Sequence, residues 1–220
     1  MSDEQTTPSR NIRKRRLYPV LAGILIIGGG AWVWQHFLKD QFIPKRFGVV
    51  EQGQVYRSGR ISARLIKKTL VKYKIGVIVD LVGDKKTDID QNAEKDAAAE
   101  LNIKRMTLPL AGNGTGDVNN YALAIAAIVE AKRANKPILV HCGIGAQRTG
   151  GVIAAYQLLV NQKDAAPVLE ELKCYGWKTT DRALVPYLNS NMGQLAELLY
   201  QAHVIERIPS PLPQLPEGKN

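Results

Sequence analysis

Continuous runs of apolar residues alternate along this chain with stretches in which apolar positions recur at helical spacing. Residues 75–82 (IGVIVDLV) and 137–142 (PILVHC) are continuous runs, which are typical of strands buried on both faces of a sheet. Shorter strands are predicted at 54–59 (QVYRSG), which Gly59 ends, and at 104–110 (KRMTLPL), which stops at Pro109.

Helical spacing fills the intervals between these strands and most of the C-terminal part. We expect Ser62 to cap the first helix, and Asp88 with Asp90 to open the second. The predicted helices cover residues 63–74, 88–101, 121–134, 149–160 and parts of 164–208. Because strand and helix alternate four times, the sequence predicts an α/β fold with a mostly parallel central sheet flanked by helices.

Residues 17–38 form the longest apolar stretch. They contain no Asp, Glu, Lys or Arg, and as a helix these 22 residues would extend roughly 33 Å against a hydrocarbon core of about 30 Å. The glycines at 28–30 suit a soluble helix poorly, whereas Trp32 and Trp34 fit an interfacial aromatic belt. We therefore predict one N-terminal transmembrane helix, with a cleaved signal peptide as the alternative that the lack of a clear cleavage site disfavours.

Basic residues around this stretch indicate its orientation. Five of them precede it closely, and fewer follow it: Arg10, Arg13, Lys14, Arg15 and Arg16 before, and Lys39, Lys45 and Arg46 after, partly offset by Asp40. By the positive-inside rule the N-terminus is cytoplasmic and the remainder lies on the exported side, periplasmic or extracytoplasmic.

The chain is therefore expected to divide into five segments. These are a basic cytoplasmic tail (1–16), a transmembrane anchor (17–38), a linker (39–46), one globular domain (47–207) and a Pro-rich tail without fixed structure (208–220).

The charge and the cysteine content of the chain limit the partners and cofactors that we expect. The formal net charge of +10 divides evenly between residues 1–46 and 47–220, so half of it accompanies the predicted membrane segment. A mildly basic domain suits anionic substrates in general, and we expect no nucleic-acid partner. Two cysteines and three scattered histidines allow no zinc spacing, and we expect no metal or organic cofactor.

Candidate chemistry concentrates in residues 138–156 (ILVHCGIGAQRTGGVIAAY). Cys142 falls at the carboxyl end of a predicted strand, where ligands bind in α/β sheets. The glycine-rich loop after it can point backbone N–H groups at an anion, and the next helix directs its N-terminus into the same loop. This setting favours a nucleophilic thiolate, and Arg148 can grip two phosphate oxygens at once. The candidate phosphate-binding residues are Gly143, Ile144, Gly145, Ala146, Gln147 and Arg148.

The segment HCGIGAQRTG resembles the phosphate-binding loop of the cysteine-dependent protein tyrosine and dual-specificity phosphatases. The residues at matching positions are His141, Cys142, Gly145, Arg148, Thr149 and Gly150. Upstream, VYRSGR followed by a helix and GVIVDL resembles the start of the small atypical dual-specificity phosphatases of bacteria. The resemblance covers roughly residues 47–159 and implies a protein tyrosine phosphatase-like fold.

The resemblance also implies a two-step mechanism. Cys142 would attack phosphorus to give a phosphocysteine that water hydrolyses, while Arg148 and the loop amides stabilise the transferring group. Thr149 would assist departure of the thiolate, and His141 would help to set its pKa.

The family's general acid is an aspartate on the loop before the cysteine strand. In LPLAGNGTGDVNN the only acidic side chain is Asp117, although counting back from the cysteine places the family's aspartate nearer Asn113 or Thr115. Two roles for Asp117 stay open, general acid and cap of the helix that begins near Val118, and both can coexist.

These residues predict a membrane-anchored phosphatase that acts on phosphotyrosine, and also on phosphoserine or phosphothreonine, in proteins. Two alternatives stay open. One is an inositol polyphosphate phosphatase of the phytate type, to which Arg60, Lys85 or Lys86 would supply the positive charge that the loop lacks. The other is a phospho-binding module with weak turnover. A minor hypothesis is that Cys174 forms a disulfide with Cys142 and reversibly inactivates the exported domain.

Overall fold

The structure is a computed structural model that describes residue 29 and residues 39–217. Residues 43–217 belong to one compact unit, and the helical turn α1 (Lys39–Phe42) belongs to a separate one. The predicted cytoplasmic tail and all but one residue of the predicted transmembrane anchor lie outside the described residues. Within the described part, no helix combines the length and the apolar character needed to cross a membrane.

A sheet of five short strands lies at the centre of the described chain. The strands are β1 (Gly48–Glu51), β2 (Val55–Ser58), β3 (Val77–Asp80), β4 (Lys104–Thr107) and β5 (Ile138–His141). Their order across the sheet is β1-β2-β5-β3-β4, and all neighbouring pairs are parallel except β1 with β2. The prediction of a mostly parallel sheet is confirmed, and β5, which precedes the candidate loop, is the middle strand.

Strand β1 differs from the sequence prediction, which places no strand before residue 54. It forms a hairpin with β2 through a tight turn in which Gly53 has a φ of +74° and the Gln54 N–H donates to the Glu51 carbonyl at 3.1 Å. Because β1 is a four-residue edge strand with Val49 44% exposed, its apolar run is too short to distinguish a strand from the preceding linker.

Six further helices connect and cover the strands. They are α2 (Ile66–Lys72), α3 (Ile89–Glu100), α4 (Val118–Arg133), α5 (Gln147–Leu159), α6 (Ala165–Cys174) and α7 (Leu184–Gln201). Asp88 caps α3 as predicted, because its side chain accepts a hydrogen bond from the Gln91 N–H. The prediction for Ser62 is wrong: α2 begins later, after Leu65, and the Ser62 backbone carbonyl rather than its hydroxyl accepts the N–H groups at that end.

The sheet is covered on both faces. On one face α2 and α3 pack through a cluster that includes Ile66, Leu70 and Ala98; the larger cluster on the other face involves α4, α5, α6 and α7. Helix α5 is the central one, since its residues from Thr149 to Leu159 are all buried. This burial positions the C-terminal end of the loop between β5 and α5 against the core.

The Pro-rich tail differs from the expectation of a segment without fixed structure. Leu215 is buried, and its backbone N–H and carbonyl bond to the Asn189 side chain on α7, each at 2.9 Å. The described part of the tail is therefore anchored to α7, because one apolar side chain and one side-chain amide replace the regular hydrogen bonding that its prolines prevent.

Candidate active site

The parallel strands bring several polar residues together at one edge of the sheet. In register, His141 at the end of β5 lies beside Ser58 at the end of β2 and Asp80 at the end of β3. Cys142 follows directly, and the loop then turns into α5, which begins at Gln147. The sequence prediction that Cys142 lies at the carboxyl edge of the sheet is thus met by the structure.

The loop is built by close backbone approach to the end of β2. Gly145 has a φ of +85°, and a Cβ there would lie 2.5 Å from the Gly59 nitrogen. From the same strand, the buried guanidinium of Arg57 donates to the Gly145 carbonyl at 3.1 Å and pairs with Glu171 at 3.1 Å. The Arg60 N–H donates to the Gly143 carbonyl at 3.2 Å. The segment YRSGR (residues 56–60) therefore determines the backbone path of the loop between β5 and α5.

Gly145→Ala is expected to damage the site severely. The added Cβ would meet backbone atoms of Ser58 and Gly59, which cannot move aside cheaply, and the positive φ is strained for any L side chain. A displacement of about 1 Å can cost roughly 10²-fold in rate, so we expect at least that loss in kcat/KM for an aryl phosphate. The control is Gly112→Ala, where a Cβ meets nothing within 4 Å, and an active Gly145→Ala would contradict the expectation.

The surroundings of Cys142 favour ionisation of its thiol. The Gly145 N–H donates to its Sγ at 3.1 Å. Burial opposes ionisation, but hydrogen bonds from Thr149 and Gly145 and the charge of Arg148 outweigh it, so that the pKa of Cys142 lies below its ordinary value. The structure brings the predicted residues Cys142, Arg148 and Thr149 together.

Arg148 offers donors toward the loop. A Cβ on Gly143 would lie 3.3 Å from its Nη2, so the guanidinium stands over the first residue of the loop. Its Nε is buried and has no hydrogen-bond partner within the described protein. An unpaired buried donor is costly, and a phosphate oxygen would satisfy it.

His141 lies in a buried network of charges behind the loop. Its Nε2 is 2.8 Å from one Glu94 carboxylate oxygen. The Arg105 guanidinium lies 2.8 Å from the other Glu94 oxygen and 2.6 Å from an Asp80 oxygen, and so bridges the two carboxylates. Burial would lower the pKa of His141, but the negative charge of Glu94 raises it to about 9. The sequence prediction that His141 serves the cysteine did not include these partners, which come from α3, β3 and β4.

Donor atoms of Asp80, Glu94 and His141 lie within 4.8 Å of one another, as in a metal site. The guanidinium of Arg105 already bridges the two carboxylates, and Gln91 Nε2 donates to Asp80 at 2.9 Å. With these oxygens engaged by fixed cations and amides, the cluster fits an ion-pair network better than a cation site.

Asp117 acts as a helix cap in the structure. Its Oδ1 accepts the Asn119 N–H and side-chain amide, each at 2.9 Å, at the start of α4. The loop that carries Asp117 lies close to the first residue of α5, since a Cβ on Gly114 would lie 3.3 Å from the Gln147 carbonyl. The capping role is therefore observed, and the catalytic role of Asp117 stays a prediction. Asn113 lies within the same loop, where its side chain bonds to Thr115.

Asp181 is a carboxylate near the site that sequence reasoning missed. It accepts a hydrogen bond from Gln147 Nε2 at 3.1 Å and another from the Lys178 N–H at 3.3 Å. No local pattern in the segment between α6 and α7 marks it, since only folding brings that segment to the loop. Cys174 is an exposed free thiol, as Cys142 is a buried one. The proposed disulfide stays a prediction.

A buried strand, a short glycine-bearing loop and a buried helix define the class of protein. The loop runs from a cysteine of lowered pKa to an arginine whose buried Nε has no partner in the described protein. The fold and site are those of the cysteine-dependent phosphatases. A family model described as "DSP-PTPase phosphatase fused to NAD+ Kinase" matches residues 46–184. The chain belongs to this family of cysteine-dependent dual-specificity phosphatases.

Individual relatives agree with the family. A dual specificity protein phosphatase of vaccinia virus (OPG106) is 35% identical over 75 residues, which are 34% of this chain and 43% of the relative. The chain thus matches less than half of that relative's length. Among solved structures, P. aeruginosa TpbA has a TM-score of 0.57 and 20% identity, covering 72% of this chain and 91% of that one. The catalytic domain of the S. cerevisiae PP-IP phosphatase SIW14 has a TM-score of 0.57 and 19% identity, covering 73% and 94%. These structural likenesses show the shared fold.

Proposed function

We propose that this protein hydrolyses phosphomonoesters through a phosphocysteine intermediate on Cys142. The observation that carries the proposal is that two complementary groups lie in one loop. The Cys142 Sγ accepts a hydrogen bond from the Gly145 N–H, and the buried Nε of Arg148 has no hydrogen-bond partner in the described protein. A thiolate is the nucleophile, and a guanidinium matches the geometry of the phosphoryl oxygens.

The reaction proceeds in two displacements. Sγ of Cys142 bonds to phosphorus while the bond from phosphorus to the ester oxygen breaks, and the leaving alcohol takes a proton from a general acid. Water then attacks phosphorus and gives a proton to the same group, the sulfur–phosphorus bond breaks, and inorganic phosphate leaves. The Thr149 hydroxyl stabilises the returning thiolate, and Arg148 with the loop amides stabilises both transition states.

The direct test is hydrolysis of para-nitrophenyl phosphate by the full chain in detergent with its thiols reduced. Turnover with a phosphoryl group recovered on the Cys142 peptide after rapid acid quenching supports the mechanism. Binding of phosphate without turnover would instead indicate the phospho-binding module.

Asp117 is our candidate for the general acid, and Asp181 is the competing carboxylate. We expect Asp117→Asn to slow hydrolysis of phosphoserine peptides far more than that of para-nitrophenyl phosphate, because an aryl leaving group needs little protonation. General acid catalysis contributes about 10²–10⁴-fold, which sets the size of the loss. The basic limb of the pH profile should flatten in the same variant. If Asp181→Asn gives this pattern and Asp117→Asn does not, the role passes to Asp181.

As physiological substrates we propose phosphotyrosine, and secondarily phosphoserine and phosphothreonine, in proteins. A TpbA variant has been solved in complex with pTyr, and the vaccinia relative is named a dual specificity phosphatase. The Ile144 side chain, 49% exposed in the loop, offers an apolar contact for an aromatic ring.

An inositol polyphosphate is the second candidate substrate, favoured by arginines beside the loop. The Arg46 guanidinium donates to the Ile144 carbonyl at 3.1 Å. Arg60 pairs with Asp88 through Nη1, while its Nε and Nη2 are buried without a partner in the described protein. SIW14, which shares the fold, is a PP-IP phosphatase. Comparing kcat/KM for a phosphotyrosine peptide with that for an inositol polyphosphate distinguishes the two substrates.

We further propose that residues 17–38 anchor the protein in a membrane, with the N-terminus cytoplasmic and the phosphatase domain exported. The length of the charge-free stretch and the excess of basic residues before it support this topology. Full-length protein that stays with membranes after alkaline extraction, and whose domain is digested by protease added from the exported side, agrees with the proposal. Release of the full-length chain by alkaline extraction contradicts it.

A further inference from the structure

A buried network of charged side chains surrounds His141. It consists of Asp80 on β3, Glu94 on α3, Arg105 on β4 and His141 on β5. The side chains of Asp80, Glu94 and His141 are at most 3% exposed, and that of Arg105 is 12% exposed. We infer that Glu94 is a positioning residue of the reaction: it holds the His141 ring as a cation behind the phosphate loop and thereby keeps the adjoining Cys142 ionised.

The geometry leaves Glu94 little freedom. One carboxylate oxygen lies 2.8 Å from His141 Nε2 and the other 2.8 Å from Arg105 Nε. Arg105 is itself fixed on its far side by Asp80 at 2.6 Å and by the Thr107 hydroxyl at 2.8 Å. Asp80 in turn accepts the Val82 N–H and the Gln91 amide, at 2.8 and 2.9 Å.

The charges balance only when His141 is protonated. The buried charged groups are two carboxylates, one guanidinium and the imidazole, together with the Cys142 thiol that follows His141 in the chain. Asp84 lies 3.8 Å from Arg105 at the exposed edge of the network and pairs with Lys95 at 3.0 Å, so this outer pair adds no net charge. With neutral His141 the four side chains would carry one uncompensated negative charge in the interior, which is costly. The pKa of Glu94 agrees with a protonated His141. Burial acts to raise this pKa, but the positive charges of His141 and Arg105 lower it to about 2.

The positive charge of His141 and the negative charge of Cys142 stabilise each other. The negative charge of a Cys142 thiolate is one of the causes that raise the pKa of His141. By the same interaction energy, an imidazolium lowers the pKa of the thiol. The carboxylate of Glu94 therefore acts on the cysteine through the histidine, and no contact between Glu94 and a substrate is needed.

The same network makes stability depend on pH. The folded pKa of His141 is raised from 6.5 to about 9, so its contribution is complete below about 6.5 and is lost as the pH rises through 9. The folded pKa of Glu94 is lowered from 4.5 to about 2, so its contribution is complete above about 4.5 and is lost as the pH falls through 2. The network therefore stabilises the fold most between about pH 4.5 and 6.5.

The test is Glu94→Gln in the full-length protein, with the alkylation rate of the Cys142 peptide by iodoacetamide measured as a function of pH. Glutamine keeps the size but removes the charge. We expect the midpoint of reactivity to rise by at least one pH unit, which slows alkylation about tenfold at a pH below both midpoints. The matched control is Glu100→Gln on the same helix, where Glu100 makes an exposed ion pair with Lys67, and we expect no shift there.

An unchanged midpoint in folded Glu94→Gln protein would overturn the inference. Should that variant fail to fold, the wild-type protein gives an independent answer by NMR of its ring-labelled histidines. His141 should stay protonated from pH 5 to 8, and a titration near its ordinary value of about 6.5 would overturn the inference. The inference rests on the proposed function only for its effect on turnover, because alkylation and NMR report on Cys142 and His141 even in an inactive protein.

Discussion

Cys142→Ser is expected to abolish turnover of para-nitrophenyl phosphate, with a loss of about 10⁴-fold or more. A serine hydroxyl at this position stays protonated, since the hydrogen bonds and the Arg148 charge that lower the pKa of the thiol cannot ionise an alcohol at neutral pH. The buried site holds the smaller oxygen atom without strain, so the fold should persist. Rates are measured with reduced protein alongside its thermal unfolding.

The matched control is Cys174→Ser. Cys174 is exposed at the end of α6, and its replacement should leave the rate within about twofold of wild type under reducing conditions. Substantial activity in Cys142→Ser would remove the cysteine mechanism altogether. Activity that falls in oxidant only when Cys174 is present would instead support the disulfide hypothesis.

Arg148→Lys is expected to lower kcat by about 10²–10³-fold, the usual cost of losing a main electrostatic donor to the transition state. Lysine preserves the positive charge but lacks the planar pair of donors that matches two phosphoryl oxygens. The buried Nε of Arg148, which has no partner in the described protein, is the donor that lysine cannot reproduce.

A control for this substitution is Arg133→Lys. Arg133 donates to the His203 carbonyl at 3.2 Å on an exposed surface, so its replacement should not change kcat. Retention of wild-type kcat by Arg148→Lys would show that the site needs only a point charge. That result would contradict the bidentate role.

Most of the helices and strands could be predicted from the sequence because their signals are local. The run 75–82 contains β3, and Asp88 marks the start of α3, since burial on both faces and helix capping each act within a few residues. Where the local signal is weak the prediction fails. Strand β1 is short and half-exposed, and Ser62 resembles a cap although α2 begins only at Ile66.

In the candidate site too, the residues with a local sequence signal could be predicted and the others could not. Cys142, Arg148 and Thr149 belong to one continuous segment, so a strand, a glycine-bearing loop and a helix start place them together as soon as those elements form. The prediction for Asp117 stays ambiguous because one aspartate can cap a helix and also serve an adjoining loop. Asp181 gives no sequence signal, since its relevance comes from one contact with Gln147.

The sequence by itself determined the class of the fold and the positions of the candidate nucleophile Cys142 and of Arg148, because strand burial and loop chemistry are encoded in neighbouring residues. Only the tertiary structure decided which charges surround Cys142. Asp80 and Arg105 are brought near His141 by the parallel register of β3, β4 and β5, whereas Glu94 contacts His141 from helix α3. Electrostatic interactions depend on distance in space and on burial, which residue spacing along a chain does not specify.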